Sequence, residues 1–385
     1  MHIAKSLANT PSSYIREILA AASDKSVISL AGGLPDEQTF PIELMRPTLE
    51  SLHLQPDVFQ YGATAGYGPL LDYLTDHYDL PSSHSAMVTT GSQQGLDLIA
   101  RAYIDPQDTV VMEAPSYLGA MQVFGLVEAN IVTVSQTERG PDLAQLEQVF
   151  QTQQPKMFYA VPDFHNPTGV CWSLDTRERV GQLCEQYQVT LIEDAPYREL
   201  RFAGTALPMA STFCPQHSIV LRSFSKIASP GLRVGVVTGN TPFLAPLIKI
   251  KQGADLHSSV PMQAVLLGLL QNSAFSQHID TIRTLYQARY QSLYRSLKAS
   301  LPAGCDVRPV EGGMFVWLTL PECDSFKLAT QLLENKVAVV PSSVFYPAGA
   351  KAFPALRLNF TNATEQELTI AVERLVAGFS DMADI

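Results

Sequence analysis

The amino-acid sequence predicts an α/β protein with a mostly parallel central sheet covered by helices on both faces. Apolar, strand-like segments alternate with helix-forming segments from Met87 to Leu221, a pattern typical of parallel sheets. The chain has 385 residues, more than one hydrophobic core accommodates, and its character changes near Phe243. We therefore predict a large domain followed by a smaller α+β domain.

The composition excludes several classes of function. The hydrophobic fraction of 46% and the charged fraction of 16% are typical of a soluble, well-packed enzyme. The formal net charge of −11 argues against non-specific nucleic-acid binding, which needs a basic surface. The sequence shows neither a secretory signal nor an apolar run of membrane-spanning length. We expect no nucleic-acid partner and no membrane partner.

The cysteines and histidines predict neither disulfides nor a metal site. The sequence has no Cys-x-x-Cys pair and no cluster of histidine and cysteine with metal-ligand spacing. We expect reduced thiols, no bound metal and a cytoplasmic location. The five cysteines are Cys171, Cys184, Cys214, Cys305 and Cys323.

The segment 1–45 is predicted to form an N-terminal arm. Helix-forming residues occupy 14–22, and Arg16 lies off the apolar stripe of that helix, as a solvated arginine does. A strand then enters a turn at Gly32 and Gly33, where the backbone approaches a neighbour closely.

The large domain is predicted over 46–283. A glycine-rich loop at 59–68 contains Tyr61 and is typical of a functional surface. A strand followed by a glycine turn leads into a helix near Ser92. Helices are predicted at 41–52 (where Pro47 permits a kink), 69–78, 117–123, 143–151 and 176–186, and strands at 109–113, 131–134, 156–161, 190–194 and 218–221.

The small domain is predicted over 284–385. Strict alternation at 356–360 places Arg357 and Asn359 on one face of a strand. Taken alone, Arg357 would be an exposed strand arginine. The other predicted elements in this part of the chain are helices at 326–335 and 366–379 and a strand within 308–320. A helix at 261–270 precedes the small domain, and a helix at 277–300 crosses into it.

Lys226 lies between two apolar, strand-like segments. An unpaired ammonium is costly to bury, but a lysine amine that condenses with an aldehyde anchors a cofactor covalently. Ser223, Ser225 and Arg233 lie nearby in sequence and suit a phosphate group. Taken alone, the stretch fits a surface lysine in a serine-rich turn equally well.

Polar residues follow the ends of four predicted strands, and ligands of parallel sheets bind at such ends. These residues are Ser92, Asn166, Asp194 and Lys226. Ser92 also begins a helix, whose N–H groups suit an anion, although serine is equally common as a simple helix cap.

These residues together resemble the fold-type I pyridoxal-phosphate enzymes, specifically the class I/II aminotransferases. The resemblance rests on an Asn-Pro-Thr-Gly motif at 166–169, an Asp-x-x-Tyr motif at 194–197 and a Ser-x-Ser-Lys motif at 223–226, in the family's order. It covers essentially the whole chain and implies the aspartate aminotransferase-like fold. The chain looks most similar to the subgroup of 2-aminoadipate and kynurenine aminotransferases and the effector domains of MocR-type regulators.

The resemblance implies pyridoxal 5′-phosphate as the cofactor and a role for each site residue. Lys226 binds the cofactor aldehyde and then serves as the base at the substrate Cα. Asp194 pairs with the ring nitrogen, while Asn166 and Tyr197 hydrogen-bond the ring oxygen. Lys226, Asp194 and Tyr197 are the implied catalytic residues. Further implied cofactor-binding residues are Ser92, Gln93, Gln94, Tyr117, Ser223, Ser225 and Arg233.

The same resemblance implies substrate contacts and a partner. Arg357 grips the substrate α-carboxylate with help from Asn166 and Gly33, and Arg16 of the arm meets the substrate side chain. Tyr61 reaches the phosphate of the neighbouring subunit, which implies a homodimer with shared active sites. The implied substrates are an L-α-amino acid of the aminoadipate, aromatic or branched-chain type and a 2-oxo acid, 2-oxoglutarate.

His165 departs from the subgroup, in which glutamine often occupies this position. A histidine near the cofactor could titrate around neutral pH, whereas a packing residue would not. We favour the packing role.

Two other functions are alternatives. A β-lyase or decarboxylase uses the same cofactor, and the motifs do not determine which group leaves the substrate. A ligand-sensing module is the other alternative, because MocR-type regulators carry this domain behind a basic DNA-binding domain. The acidic chain and the extent of the resemblance favour a free-standing enzyme.

Overall fold

A computed structural model describes residues 2, 3, 7, 18, 24 and 26–379 of the chain. In chain order the strands are β1 Ile28–Ser29, β2 His84–Thr89, β3 Thr109–Ala114, β4 Asn130–Thr137, β5 Gly140–Pro141, β6 Met157–Ala160, β7 Thr190–Asp194, β8 Ser218–Ser223, β9 Gly235–Asn240, β10 Asp306–Val307, β11 Phe315–Thr319, β12 Val337–Ala338, β13 Val340–Pro341 and β14 Ala355–Asn359. The α-helices are α1 Ile42–Ser51, α2 Gly68–His77, α3 Ser92–Tyr103, α4 Leu118–Leu126, α5 Leu143–Gln153, α6 Leu174–Tyr187, α7 Thr241–Ala254, α8 Val260–Leu270, α9 Phe275–Ser300, α10 Ser325–Glu334 and α11 Glu365–Gly378.

Helix α7 has no counterpart among the predicted elements, because its two prolines argue against a continuous helix in the sequence. Pro242 lies in the first turn, where proline is tolerated, and Pro246 lies inside the helix, where proline normally interrupts it. Pro47 likewise lies inside α1, which continues through it as one helix.

The central sheet is mostly parallel, as predicted. Within the described residues it contains eight strands in the order β2-β9-β8-β7-β6-β3-β4-β5. Strands β8, β7, β6, β3 and β4 are parallel neighbours, and β9 runs antiparallel between β2 and β8. Because β2 is antiparallel to β9 and β9 is antiparallel to β8, strand β2 runs in the same direction as β8. Strand β2 therefore ends at the same edge of the sheet as β6, β7 and β8.

Helices bury both faces of this sheet. In β6, Phe158 packs in a cluster with residues of α5 and α6, whereas its neighbour Tyr159 packs in the cluster that includes α3 and α4. Successive strand residues point to opposite faces, so this division requires apolar cover on each side. Such cover leaves the strand ends as the accessible part of the sheet.

A smaller antiparallel sheet follows in the order β10-β11-β14-β13. Strand β1 pairs in parallel with β12 and so ties the start of the described chain to its last part. Helix α9 has 26 residues and is about 39 Å long. The predicted boundary between 283 and 284 falls within α9, and the division into 1–45, 46–283 and 284–385 stays a prediction.

The helices described here include none that is both long and apolar enough to cross a bilayer. Across the same residues, no group of histidine, cysteine and acidic side chains is arranged to hold a metal ion.

Candidate active site

The ends of three parallel strands bring polar side chains to one edge of the central sheet. Asp194 is the last residue of β7, and Lys226 ends the 3₁₀ turn that follows β8. Asn166 lies in the loop after β6. The register pairs Asp194 with Leu221, so β7 and β8 end close together. The predicted convergence of these residues on one edge is therefore present.

The amine of Lys226 is partly buried and lies near two other cations. Its Nζ donates a hydrogen bond to the carbonyl oxygen of Gly33 at 2.8 Å. Burial, followed by the charges of Arg233 and Arg357, lowers the pKa of Lys226 to about 8. A lowered pKa makes the neutral amine accessible near physiological pH, and this is the form that attacks an aldehyde.

Asp194 presents one buried oxygen to the site without a partner. Its Oδ2 accepts a hydrogen bond from the Tyr159 hydroxyl at 2.8 Å. Its Oδ1 has no hydrogen-bond partner among the described residues. Burial raises the pKa of Asp194 to about 7. Because buried polar atoms are normally paired, a bound group with an N–H donor fits at Oδ1 and would favour the charged carboxylate.

Asn166 joins a phenol and a guanidinium in one hydrogen-bonded row. Its Nδ2 donates to the Tyr197 hydroxyl at 3.4 Å, and its Oδ1 accepts from Arg357 Nη1 at 2.9 Å. All three side chains are buried. The row therefore places a hydroxyl, an amide and a cation side by side at the edge where β6 and β7 end.

Arg357 is 1% exposed, so its interpretation as an exposed strand arginine is wrong. Its guanidinium lies over the rings of Phe315 and Phe345, 4.4 Å and 5.2 Å from their centroids. Nη2 donates to the carbonyl oxygen of Ala31, and Nε has no partner within the described chain. Burial lowers the pKa of Arg357 to about 10, so it remains charged at neutral pH. A rigidly held, incompletely paired guanidinium suits a carboxylate ligand.

The turn between β2 and α3, residues Thr90–Ser92, forms a backbone-lined cup, which we call the Gly91 turn. Gly91 has φ +79°, and a Cβ there would lie 2.6 Å from Nη2 of Arg233. Across the turn, a Cβ on Gly235 would lie 2.7 Å from the backbone nitrogen of Ser92. Glycine at both positions lets strand and turn approach closely. The helix N-terminus that begins at Ser92 is a favourable place for an anion.

The remaining predicted phosphate-binding residues lie on the connection from β8 to β9. Ser223 Oγ accepts a hydrogen bond from the backbone N–H of Ser225 at 3.3 Å. Arg233 Nη2 donates to the carbonyl oxygen of Thr90 at 3.1 Å, which joins this connection to the Gly91 turn. The contacts of these residues with a phosphate group stay predictions.

Gln93 and Gln94 point to different partners. The Tyr117 hydroxyl donates to Gln93 Oε1 at 3.2 Å. The side chain of Gln94 is instead engaged by two charged residues. It accepts a hydrogen bond from Lys251 Nζ at 3.1 Å and donates one to Asp255 Oδ2 at 2.6 Å. The predicted contact between Gln94 and the cofactor is untested, and the structure assigns its side chain to other partners.

Two predicted site residues stand apart from this cluster. Tyr61 is 79% exposed, and its ring meets that of His257 edge-on with 5.9 Å between centroids. Such exposure fits a residue that acts on another subunit. Arg16 lies outside the described residues.

His165 is buried at 1% exposure, with Nδ1 3.0 Å from the Thr168 hydroxyl, and burial lowers its pKa to about 3. The imidazole is therefore neutral across the neutral pH range. We expect His165→Gln to leave the pH profile of kcat/KM unchanged. Initial rates measured across the neutral range check this, and a shifted acidic limb in the variant would contradict it.

Residues that hold the site residues in place escape sequence reasoning. Tyr159 lies inside an apolar strand and resembles a core residue, yet its hydroxyl fixes Asp194. Beneath the Asn166 loop, buried Asp163 pairs with Arg177 at 2.7 Å and with Arg198 at 2.8 Å. For Asp163 the sequence gives only a weak indication, namely an acidic residue in the loop just before the Asn-Pro-Thr-Gly motif.

A scan against family models matches residues 25–375 to aminotransferase class I and II. Aromatic-amino-acid aminotransferase 1 of Thermococcus litoralis is 35% identical over 94% of this chain and 90% of its own length. The structure of kynurenine aminotransferase from Pyrococcus horikoshii, in complex with PMP, superposes with a TM-score of 0.94 at 34% identity and covers 98% of this chain and 97% of its own.

A third similar protein was solved with a phosphopyridoxyl adduct of an amino acid. The α-aminoadipate aminotransferase of Thermus thermophilus, LysN, was solved with N-(5′-phosphopyridoxyl)-L-leucine. It superposes with a TM-score of 0.92 at 33% identity over 99% of this chain and 98% of its own.

Proposed function

The chain belongs to the class I and II aminotransferases, which are pyridoxal-phosphate enzymes, and from this premise we propose that it transfers the amino group of an L-α-amino acid to 2-oxoglutarate. One observation carries the proposal, namely the set of groups gathered at the carboxyl edge of the central sheet. Lys226 supplies an amine of lowered pKa, Asp194 a buried oxygen that lacks a partner among the described residues, and Arg357 a buried guanidinium.

The residues at this edge fit pyridoxal phosphate. When bound, the cofactor supplies an aldehyde that joins amines and a ring that accepts the electrons left at the substrate Cα. The Gly91 turn offers a helix N-terminus for the phosphate, and Asp194 Oδ1 fits the ring N–H. The residues inferred to hold the phosphate and ring are Ser92, Gln93, Tyr117, Ser223, Ser225 and Arg233.

We infer that Lys226 anchors the cofactor and then moves the proton. With substrate bound, the free Nζ would take the proton from the substrate Cα and hold it beside the reacting atoms, while the cofactor would supply the electron sink that makes this proton acidic. An amine must be unprotonated to accept a proton, and burial together with neighbouring cations favours that form of Lys226. The carbonyl of Gly33 holds the amine in place.

The neighbouring polar groups would tune this reaction. Asp194, held by Tyr159, would keep a proton on the ring nitrogen, because a buried carboxylate strongly favours an adjacent positive charge. Tyr197 and Asn166 would donate hydrogen bonds to the ring oxygen. Both are already joined to each other, so the two donors are positioned together.

Arg357 is the proposed receptor for the substrate α-carboxylate. Asn166 and the carbonyl of Ala31 hold two of its nitrogens, and the rings of Phe315 and Phe345 hold its plane. The guanidinium therefore meets the carboxylate in a fixed orientation, which favours a bidentate contact.

We infer an amino donor of the aminoadipate, aromatic or branched-chain type. Similar enzymes are named for aromatic amino acids, kynurenine and α-aminoadipate, and one of them binds a phosphopyridoxyl adduct of leucine. Arg16 remains a proposed contact for a substrate side chain that carries a carboxylate.

The proposal is tested by titrating the purified protein with a panel of amino acids while following its visible absorption band. Donors that convert the band are then incubated with and without 2-oxoglutarate. We expect glutamate to form only when both substrates are present. Steady release of pyruvate and ammonia without an acceptor would establish a β-lyase instead, and carbon dioxide release would establish a decarboxylase.

We further propose a homodimer in which Tyr61 completes the partner's phosphate site. Large apolar side chains on α1 and in the segment that leads from it to Tyr61 are unusually exposed, and a surface of this kind is normally covered by a protein partner. They are Ile42 at 52%, Leu49 at 43%, Leu54 at 71% and Phe59 at 61% exposure.

Sedimentation equilibrium tests the dimer, and a monomer at micromolar concentration would refute it.

None of the five cysteines, all of which lie in the described part of the chain, forms a disulfide there. This observation supports our proposal of a cytoplasmic location.

A further inference from the structure

Lys251 is a buried cation outside the set of residues that face the proposed cofactor. It lies in α7 and is 0% exposed. Its Nζ donates to both carboxylate oxygens of Asp255 at 2.8 Å and 2.9 Å, to Gln94 Oε1 at 3.1 Å and to Ser258 Oγ at 3.1 Å. A buried ammonium is tolerated only when it is paired in this way, so its position is closely constrained.

The partners of Lys251 all converge on Thr90, the first residue of the Gly91 turn. The backbone N–H of Thr90 donates to Gln94 Oε1 at 2.7 Å. Its hydroxyl lies 3.1 Å from Ser258 Oγ and 3.4 Å from Asp255 Oδ2. We call Thr90, Gln94, Lys251, Asp255 and Ser258 the Lys251 network.

The third polar atom of Thr90 connects this network to the phosphate side. Its carbonyl oxygen accepts a hydrogen bond from Arg233 Nη2 at 3.1 Å. Thr90 is therefore held at its N–H, its hydroxyl and its carbonyl, each from a different part of the chain. The next two residues, Gly91 and Ser92, pack directly against Gly235. A turn fixed on both sides keeps the N–H groups at the start of α3 in one arrangement.

The network also has a second branch, toward the loop that carries Tyr61. Gln263 is fully buried; its Nε2 donates to the Ser258 carbonyl at 2.9 Å, and its Oε1 accepts from the backbone N–H of Tyr67 at 2.7 Å. A Cβ on Gly62 would lie 2.5 Å from Val260, so the loop rests on the same segment.

We propose that Lys251 is a positioning residue for the phosphate of the cofactor, acting through Gln94, Asp255 and Thr90 on the Gly91 turn and on Arg233. It touches neither substrate nor cofactor. This inference rests on the proposed function, because it presumes that the turn binds a phosphate. The ring end of the site, at Asp194 and Asn166, has no hydrogen bond to the Lys251 network within the described residues.

The proposal makes a distinction that a purely structural role does not. Pyridoxal carries the ring and the aldehyde of the cofactor but lacks the phosphate. A displaced Gly91 turn weakens only the phosphate contacts, whereas general loosening of the site weakens the binding of both compounds. The comparison of pyridoxal phosphate with pyridoxal therefore isolates the role assigned to Lys251.

The experiment uses the full chain, stripped of cofactor and titrated with each compound while the visible band is followed. Lys251→Met keeps the length and apolar stem of the side chain and removes the ammonium. We expect it to lower the affinity for pyridoxal phosphate by about tenfold to a hundredfold, as expected for lost hydrogen bonds to charged groups. We expect its affinity for pyridoxal to equal that of the wild type. Lys249→Met, at an exposed position two residues away on α7, is the matched control and should match the wild type with both compounds.

Two results would overturn the proposal, namely an unchanged affinity for pyridoxal phosphate and an equal loss with both compounds. If Lys251→Met does not fold, Gln94→Met and Thr90→Val are judged by the same criteria. These variants remove a partner in the network while leaving Lys251 in place. A wild-type protein that binds pyridoxal phosphate alongside an unaffected variant refutes this inference alone. A wild-type protein that does not bind it refutes the proposed function as well.

Discussion

Replacing Lys226 with alanine is expected to remove the visible absorption band of the purified protein and to lower transamination by roughly 10³-fold or more. The variant loses the amine that we propose as the anchor of the cofactor and as the base at the substrate Cα. Arg357 has a pKa of about 10 and stays charged at neutral pH, so it does not replace Lys226 as the base. Absorption spectra together with initial rates of glutamate formation check both expectations.

The matched control is Lys249→Ala, which removes an exposed lysine of α7 and should preserve both the band and the rate. The alanine side chain at position 226 leaves the Gly33 carbonyl without its donor, so a modest loss of thermal stability is expected too. A visible band that persists in Lys226→Ala, with the wild-type maximum, would refute the assignment of the anchor.

Asp194→Asn is expected to lower kcat by roughly 10²–10³-fold while the cofactor stays bound. Asparagine keeps the shape of the side chain but lacks the negative charge that, in the proposed function, holds a proton on the ring nitrogen. Without that proton the ring accepts electrons from the substrate Cα less readily. The phosphate contacts are untouched, so the visible band should remain. Steady-state rates combined with absorption spectra separate these effects.

Tyr159→Phe tests the same interaction with a smaller expected effect than Asp194→Asn. It removes the hydrogen bond to Asp194 Oδ2 and keeps the carboxylate, so we expect a loss of only about tenfold. An Asp194→Asn enzyme as fast as the wild type would rule out the assigned role. A Tyr159→Phe enzyme slower than Asp194→Asn would show that the hydroxyl acts more directly than the geometry indicates.

Much of the fold could be predicted from the sequence because its central strands are simple. The strand at 190–194 is a short apolar run that ends in acids, and the structure gives it the predicted bounds. Helix α7 could not be predicted, since local rules treat Pro246 as an interruption. Without α7, the role of Lys251 could not be predicted either, because this residue lies on α7 and its partner Gln94 is 157 residues away in the chain.

Prediction of the candidate site from sequence is limited in the same way by contacts between distant segments. The strand-end rule predicted that Asp194 and Lys226 would lie at one edge of the sheet, because it depends only on strand order and direction. The burial of Arg357 depends on rings contributed by other segments, so alternation within β14 could not indicate it. Tyr159 became visible as a partner of Asp194 only through the pairing of β6 with β7.

The branch of the Lys251 network at Gln263 has a consequence for mixed dimers. It joins the loop of Tyr61 to the segment that holds the Gly91 turn. In the proposed homodimer, the loop serves the partner's cofactor and the turn serves the subunit's own. One altered subunit in a mixed dimer would then impair both sites, so co-expression of a Lys251 variant is expected to lower the activity of the wild-type subunits that pair with it.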